Sequence, residues 1–310
     1  MSATHGPHVA PCVAVTGAGG FIGRHVLAEL GRRGLQATVI MRPGSVAPPQ
    51  VQGHRVVQAD FTKADAETAA DTLAAAGHPD VLIHLAWGGL PNYLSLHHFE
   101  QEAPLHYHWL KGLVGAGLKQ VLVTGTCFEY GNQSGALDET MTAQPTNPYG
   151  FAKDQLRRQL TYLQAAQGFG MSWARLFYMH GEGQSANSLW PLLQAAALRG
   201  DAEFPMSGGE QLRDYLPVAE VARCLVGLAL GAVQAQGNNG TGTASGHGIV
   251  NICSGKPVSV RSLVEGWIAD NSWSIRPKLG CYPYPNYEPM AFWGDASKLS
   301  RCLGDGMETR

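Results

Sequence analysis

The apolar run Cys12-Val13-Ala14-Val15 leads directly into Thr16-Gly17-Ala18-Gly19-Gly20-Phe21-Ile22-Gly23. Glycines three apart between a strand and a helix constrain a chain more than any composition does. Gly17 allows the tight turn, Gly20 lets backbone N–H groups approach a pyrophosphate, and Gly23 lets the new helix pack on the strand. The helix N-terminus adds positive partial charge where an anion would sit. A Gly-rich loop by itself is a weak signal, because such loops are common. Here it is followed, about 130 residues on, by Tyr149-Gly150-Phe151-Ala152-Lys153. Together they imply a dinucleotide site equipped with an acid–base pair.

The rest of the chain fits that start. Strand-like apolar runs at residues 12–15, 37–41, 54–58, 81–86, 120–124 and 172–177 alternate with helical spacing at 21–33, 63–76, 98–118 and 149–167. This is the pattern of a parallel sheet covered on both faces. Gly34, Gly77 and Gly117 stand near three helix ends, where left-handed caps belong. Pro104 marks a second possible start for the third helix. The expected fold is α/β, a Rossmann-type doubly wound parallel sheet with a smaller, discontinuous substrate-binding domain. Residues 1–180 form the dinucleotide-binding domain, to which 218–253 return. Residues 181–217, rich in Gly, Ser and Pro, and 254–310, with a Pro/Tyr/Trp-rich stretch at 283–293, form the second domain. Within these, 218–231 reads as a helix, 234–248 as a mobile loop and 249–252 as one further buried strand. There is no internal repeat. The cleft belongs at the carboxyl ends of the strands.

Bulk properties narrow the partners. The net charge of −2, without a basic run, argues against nucleic acid or an anionic membrane as the main partner. No stretch reads as the roughly 20 apolar residues of a membrane span. Residues 1–9 lack the apolar core of a signal peptide and read as a disordered lead-in. Cys12, Cys127, Cys224, Cys253, Cys281 and Cys302 are scattered without a C-x-x-C pair, which suggests reduced thiols in a cytoplasm. His97, His98, His106 and His108 crowd one segment, but no two are four apart on a helix. No metal is therefore expected, and exposed or partner-facing positions are the plainer reading.

Tyr149 and Lys153, four apart on a helix, point the same way. A free phenol titrates at about 10, too high for efficient proton transfer at neutral pH. A nearby ammonium and an oxidised nicotinamide would both pull it down. The lysine can also hydrogen-bond the nicotinamide ribose. A hydroxyl facing the tyrosine is needed to orient a carbonyl or alcohol, and Thr126, just past a strand end, is placed for it. The expected catalytic set is Tyr149, Lys153 and Thr126.

These motifs together resemble the extended short-chain dehydrogenases/reductases, the NAD-dependent epimerase/dehydratase family of nucleotide-sugar enzymes. Besides the fingerprint, Asp60-Phe61 resembles the family's adenine-contacting pair, and His84-Leu85-Ala86 its H-x-A segment along the cofactor. Residues 175–184 resemble its R-x-x-N-x-Y-G-P-G-Q stretch. Residues 213–218 resemble its R-D-Y/F-x-x-V segment, whose arginine holds the nucleotide diphosphate. The resemblance implies cofactor contacts at Gly17, Gly20, Phe21, Ile22, Gly23, Arg42, Asp60, Phe61, Leu85, Ala86, Tyr149 and Lys153. It implies substrate contacts at Trp87, Cys127, Phe128, Tyr178, Asn187 and Arg213. Tyr178 replaces the family's usual Asn and is expected to pack near the nicotinamide. A homodimer is implied too, through helices matching 98–118 and 149–167, the first carrying Leu105, Trp109 and Leu113 with Leu110 and Val114 beside them. Packing of that helix on its own sheet is the plainer alternative.

Within the family, 4,6-dehydratases carry Asp and Glu directly after the catalytic Ser/Thr. Here Cys127 and Phe128 stand there, so dehydration is not expected. Glu129 would point the other way if the strand persists. Cys127 sits one position short of the cysteine of 3,5-epimerase/reductases and reads as packing. Ketone reduction and 4-epimerisation remain. After the second strand there is no acidic residue for the ribose 2′-hydroxyl, while Arg42 suits a 2′-phosphate. The expected cofactor is NADP(H), with NAD(H) possible. The expected activity is NADPH-dependent reduction of the C4 ketone of a dTDP- or CDP-activated 4-keto-6-deoxyhexose. The alternatives are an NAD-dependent 4-epimerase and a non-catalytic NADP-sensing protein.

Overall fold

The computed structural model describes residues 10–63, 65–238, 247–284 and 288–304. The expected lead-in and part of the expected 234–248 loop lie outside the described residues. The strands, in chain order, are β1 (Val13–Thr16), β2 (Ala37–Met41), β3 (Arg55–Gln58), β4 (Val81–His84), β5 (Gln120–Thr126), β6 (Gly135–Leu137), β7 (Gly170–Leu176), β8 (Tyr178–His180), β9 (Glu203–Pro205), β10 (Leu212–Arg213), β11 (Tyr215–Pro217), β12 (Gly248–Ile252), β13 (Val258–Ser259), β14 (Arg276–Lys278) and β15 (Phe292–Gly294). Seven of them form one parallel sheet in the order β12-β7-β5-β4-β1-β2-β3. The order reverses beside β1, and that switch point is where an open α/β sheet places its crevice. The remaining strands pair in twos, β10 with β13, β11 with β8, β14 with β9 and β15 with β6.

Eight helices are described: α1 (Phe21–Arg32), α2 (Ala66–Ala75), α3 (Ala103–Gly115), α4 (Pro148–Gln167), α5 (Leu189–Arg199), α6 (Val218–Asn238), α7 (Val260–Asp270) and α8 (Ser297–Leu303). Their ends follow local chemistry. Asp65 caps α2 by accepting from Thr68 N–H, Asn147 caps α4 through Gly150 N–H, and Pro148 opens α4 where no N–H is needed. Gly168, with φ 69°, ends α4 in the left-handed conformation. α3 begins near Pro104, preceded by one π-turn at His98–Glu102, so the expected single helix is two pieces.

One face of the sheet packs on α1 and α6, around Val26, Leu27, Leu30, Leu225 and Leu228. The other packs on α2, α3 and α4, around Leu73, Trp109, Leu113, Leu156 and Leu160. Here one expectation is corrected: Trp109, Leu110, Leu113 and Val114 are buried within their own chain. Each gains roughly 1.5–3 kcal/mol by covering the sheet, so none is left for a partner. α6 is also longer than the expected 218–231, and by length and composition its residues 218–235 could cross a membrane, contrary to the sequence reading. Its inner side is core, with Val221, Leu225 and Leu228 buried, so apolar length here reflects packing on the sheet. A separate cluster, Leu193, Phe204, Val264, Trp267 and Ile275, holds α5, α7 and the β9–β14 pair together.

Candidate active site

The fingerprint makes a cradle with no room for side chains. Gly17 has φ 70°, and a Cβ there would stand 2.7 Å from Ala86 N. At Gly23 a Cβ would come within 2.2 Å of Gly17 O. α1 starts at Gly20 with no side chain capping its N–H groups and no acidic residue in its first turn. Those donors are open to an anion. The cradle forms one end of a cleft of about 310 Å³ lined also by Arg42, Ser45, Phe61, Leu85, Ala86, Trp87, Glu102 and His106. A dinucleotide's pyrophosphate fits that end. Six expected cofactor contacts lie off this lining: Gly23, Tyr149 and Lys153, and with them Phe21, Ile22 and Asp60. Phe21 packs edge-on against His25, Ile22 packs against the core, and Asp60 turns its carboxylate to Thr62, while its neighbour Phe61 lines the cleft.

Thr126 ends β5, and a 3-10 turn, Cys127–Tyr130, follows at once. The Thr126 side chain stands close enough to the Tyr149 hydroxyl to favour its phenolate. Lys153 Nζ donates to Thr124 O at 2.9 Å and stands 5.9 Å from the Tyr149 ring centroid. Burial pushes the Lys153 ammonium down to about 7 against the pull of Glu129 and Glu102. Burial also drives the Tyr149 phenol well above its ordinary range, with Tyr93, Glu129 and Cys127 adding to the rise. The expected lowering is thus absent in the chain alone, because desolvation outweighs any pull on the phenolate. Tyr149 is held as a protonated donor. Around it stand the rings of Trp87, Tyr93, His98 and Phe128, at centroid distances of 6.2, 5.5, 5.2 and 6.4 Å.

The turn after Thr126 rests on Glu129, which does not continue the strand. Its carboxylate accepts from Thr126 N–H at 2.9 Å, Trp173 Nε1 at 2.9 Å and Arg175 Nε at 2.7 Å, all inside the protein. It faces away from the cleft. Cys127 is buried beside Tyr130, Phe177 and Phe292, and burial pushes its thiol far above the ordinary value. A thiol in that state is packing material and not a base.

The histidines correct the sequence reading most. His108 is exposed and His97 half-buried, but His98 and His106 are buried against the site. Glu102 accepts from His106 Nε2 at 3.1 Å and from Gly88 N–H at 2.6 Å. His106 Nδ1 lies 2.9 Å from His84 Nε2, and His84 Nδ1 lies 2.8 Å from Thr16 Oγ1. Burial pushes both imidazoles down, so each is neutral at physiological pH. Since a carboxylate only accepts, the protons are ordered: Thr16 donates to His84, His84 to His106, and His106 to Glu102. Burial alone would raise the Glu102 carboxyl, but the hydrogen bonds from His106, Gly88 and His97 carry it to about 2. Glu102 lies four residues from both His98 and His106, a signal that a search for paired histidines passes over.

The remaining expected substrate contacts are spread out. Tyr178 stacks on Tyr215 at 5.2 Å and donates its hydroxyl to Glu288, lying off the cofactor cleft. Asn187 is exposed just before α5. Arg213 is buried, donates to Glu288 at 2.9 Å and lies 4.5 Å over the Phe292 ring. Asp214 does not pair with it and instead caps the turn at Ser254 and Gly255. No feature of the sequence read above singled out Glu288.

Residues 13–242 match the NAD dependent epimerase/dehydratase family. The chain belongs to that family. It is 29% identical over 283 residues to the dTDP-6-deoxy-L-talose 4-dehydrogenase (NAD(+)) of Aggregatibacter actinomycetemcomitans, covering 91% of this chain and 98% of that one. It is 24% identical over 280 residues to the UDP-glucose 4-epimerase of Halalkalibacterium halodurans, covering 82% and 78%. A Stenotrophomonas maltophila UDP-glucose-4-epimerase structure with bound NAD and formylated UDP-arabinopyranose overlays with a TM-score of 0.79 at 22% identity, covering 95% and 93%. At that identity the likeness speaks for the fold alone. The family is NAD-dependent, and the glycine cradle fits its cofactor's pyrophosphate.

Proposed function

We propose that this chain interconverts a C4 ketone and a C4 alcohol on a nucleotide-activated 6-deoxyhexose, working as a 4-ketoreductase. The observation that carries the reading is the Thr126–Tyr149 hydroxyl pair within a wall of aromatic rings. The wall offers apolar surface, suited to a sugar whose C6 is a methyl group. The positions after Thr126, filled by a buried thiol and a phenyl ring, carry no acid–base pair for dehydration. The dTDP-deoxysugar dehydrogenase relative supports the same chemistry.

A bound nicotinamide dinucleotide supplies or accepts the hydride. The chain does the rest. Backbone N–H groups at the start of α1 hold the pyrophosphate, while Gly17 makes the turn, Gly20 leaves room for the approach and Gly23 lets α1 pack on β1. The Thr126 hydroxyl orients the carbonyl oxygen, and Tyr149 gives that oxygen its proton. The Lys153 ammonium then stabilises the phenolate left behind. Free-enzyme kcat/KM should therefore fall as pH rises through about 7, where Lys153 loses its proton. Arg42, exposed at the cleft beside Ser45, supports preference for a 2′-phosphate, although the relative above is named for NAD(+). Arg213 is the proposed partner of the substrate diphosphate, with Glu288 the carboxylate exchanged for it. Residues 181–217 and 254–310 are the proposed substrate-binding domain. A homodimer is proposed on the outward side of α4, where Phe151 and Tyr162 are 49% and 80% exposed. A monomer in sedimentation at micromolar concentration would overturn it. A cytoplasmic setting fits six free cysteines.

The test is a panel of dTDP-, CDP- and GDP-4-keto-6-deoxy sugars with NADPH and NADH, followed by absorbance. Wild type should oxidise NADPH with one of them. Arg42→Asp should shift the NADPH/NADH ratio toward NADH, and an unchanged ratio removes Arg42 from cofactor recognition. Arg213→Ala should raise KM by roughly 10- to 150-fold, and it should also lower the melting temperature because it leaves the Glu288 carboxylate without its buried partner. An unchanged KM beside the lowered melting temperature would make Arg213 only a buttress for Glu288. The second reading, a 4-epimerase, is favoured by the UDP-glucose 4-epimerase relatives, and NAD retained through purification would select it.

A further inference from the structure

We propose that Trp87, in the wall of the cofactor cleft, is the positioning residue for Lys153, its indole face forming the seat that holds the buried ammonium in place and charged. This deepens the reductase reading, because it names what prepares that reaction's lysine.

Lys153 is buried, and among the described residues no carboxylate lies within ion-pair distance of it. A buried ammonium in that position loses its water and gains little in return. Two contacts replace the water. Nζ donates to Thr124 O at 2.9 Å, and it stands 3.9 Å from the centroid of the Trp87 ring. Indole is the strongest π partner for a cation among the side chains, and the attraction grows when both groups are desolvated.

The seat is itself fixed. Trp87 Nε1 donates to His98 Nδ1 at 3.1 Å, and His98 Nε2 then donates to Asn92 O at 2.8 Å. The Trp87 ring lies nearly parallel to His106, at 13° and 4.9 Å between centroids. Gly88 N–H is tied to Glu102, so the backbone just beyond Trp87 cannot drift. The neutrality of His106 matters here, because a second cation on the indole would compete for the same π density.

Other groups face Lys153 from each element around it: Tyr149 on its own helix, Glu129 in the turn after β5, His84 on β4, His106 on α3, and His98 and Glu102 in the π-turn. Glu129 and Glu102 favour the charged lysine from a distance, and the imidazoles are uncharged. Trp87 offers the ammonium the nearer of two ring faces, with its centroid at 3.9 Å against 5.9 Å for Tyr149.

The test reads Lys153 directly and needs no substrate. The full chain is labelled with [13Cε]lysine, the Lys153 resonance is assigned with Lys153→Arg, and its pH midpoint is followed in wild type, Trp87→Phe and Trp87→Leu. Leucine keeps the site apolar but removes the π face, so its midpoint should lie about one pH unit below wild type. Phenylalanine should fall between the two. A midpoint that stays or rises in Trp87→Leu overturns the proposal. If Trp87→Leu does not fold, an unmoved midpoint in Trp87→Phe overturns it. A merely structural Trp87 would lower melting temperature and leave the midpoint where it was. Should no nucleotide sugar be turned over, the reductase reading fails while this titration still decides the role of Trp87. Where turnover is found, the alkaline limb of kcat/KM should move down in the same order.

Discussion

Tyr149→Phe should lower kcat by roughly 10²–10⁴-fold while leaving dinucleotide affinity nearly intact, because only the proton donor is removed. The phenyl ring would keep its contacts with Trp87, Tyr93, His98 and Phe128, so the aromatic wall should survive. Thr126 would lose its hydroxyl neighbour but would still accept from Phe128 N–H at 3.3 Å, which preserves the turn. Steady-state kcat measured beside a dinucleotide titration checks both halves. A near-normal kcat would show that the proton comes from elsewhere.

Glu129→Ala should be the most damaging single change to stability. It strips three donors of their acceptor and leaves the Arg175 guanidinium, 1% exposed, as a buried charge without its carboxylate. Breaking one side of a buried pair costs about 3–5 kcal/mol. For a chain of this size that is a fall of roughly 10 °C in melting temperature. The cation–π contact of Arg175 over Tyr130, at 4.4 Å, would remain and offset a little of the loss. A paired Glu129→Leu/Arg175→Met replacement, apolar on both sides, should recover most of it, since no charge is left unpaired. Thermal melts of the single and double variants test the account. A single variant that melts like wild type would mean that the pair does not sit in the interior.

Much of the frame was legible from short-range pattern. The strands read at 37–41, 120–124 and 249–252 declare themselves as apolar runs, because a strand of a parallel sheet is buried on both faces and needs no alternation. The cradle was legible because Gly17 and Gly23 are required by backbone approach within a few residues, a local matter. Glu129 was harder. The expectation for it rested on a continuing strand, but the chain leaves the strand at Thr126, and only the turn shows that Glu129 carries Thr126 on its own carboxylate.

Distance along the chain marks where inference from sequence stops. His98 and His106 looked exposed because a helix with polar residues reads as a solvated one. They are buried because His84 on β4 and the Trp87 indole come from another part of the chain to meet them. Trp109, Leu110 and Leu113 read equally well as an interface or as core, and the sheet they cover decides for core. Glu288 pairs with Arg213 across 75 residues, a contact that no local spacing announces. The sequence by itself determined the doubly wound sheet, the glycine cradle and the Tyr149/Lys153 spacing, because periodicity and backbone sterics act over a few residues. The tertiary structure alone decided which charges are paired, which histidines are neutral and which ring lies under Lys153. Those depend on desolvation and on contacts between segments that only folding brings together.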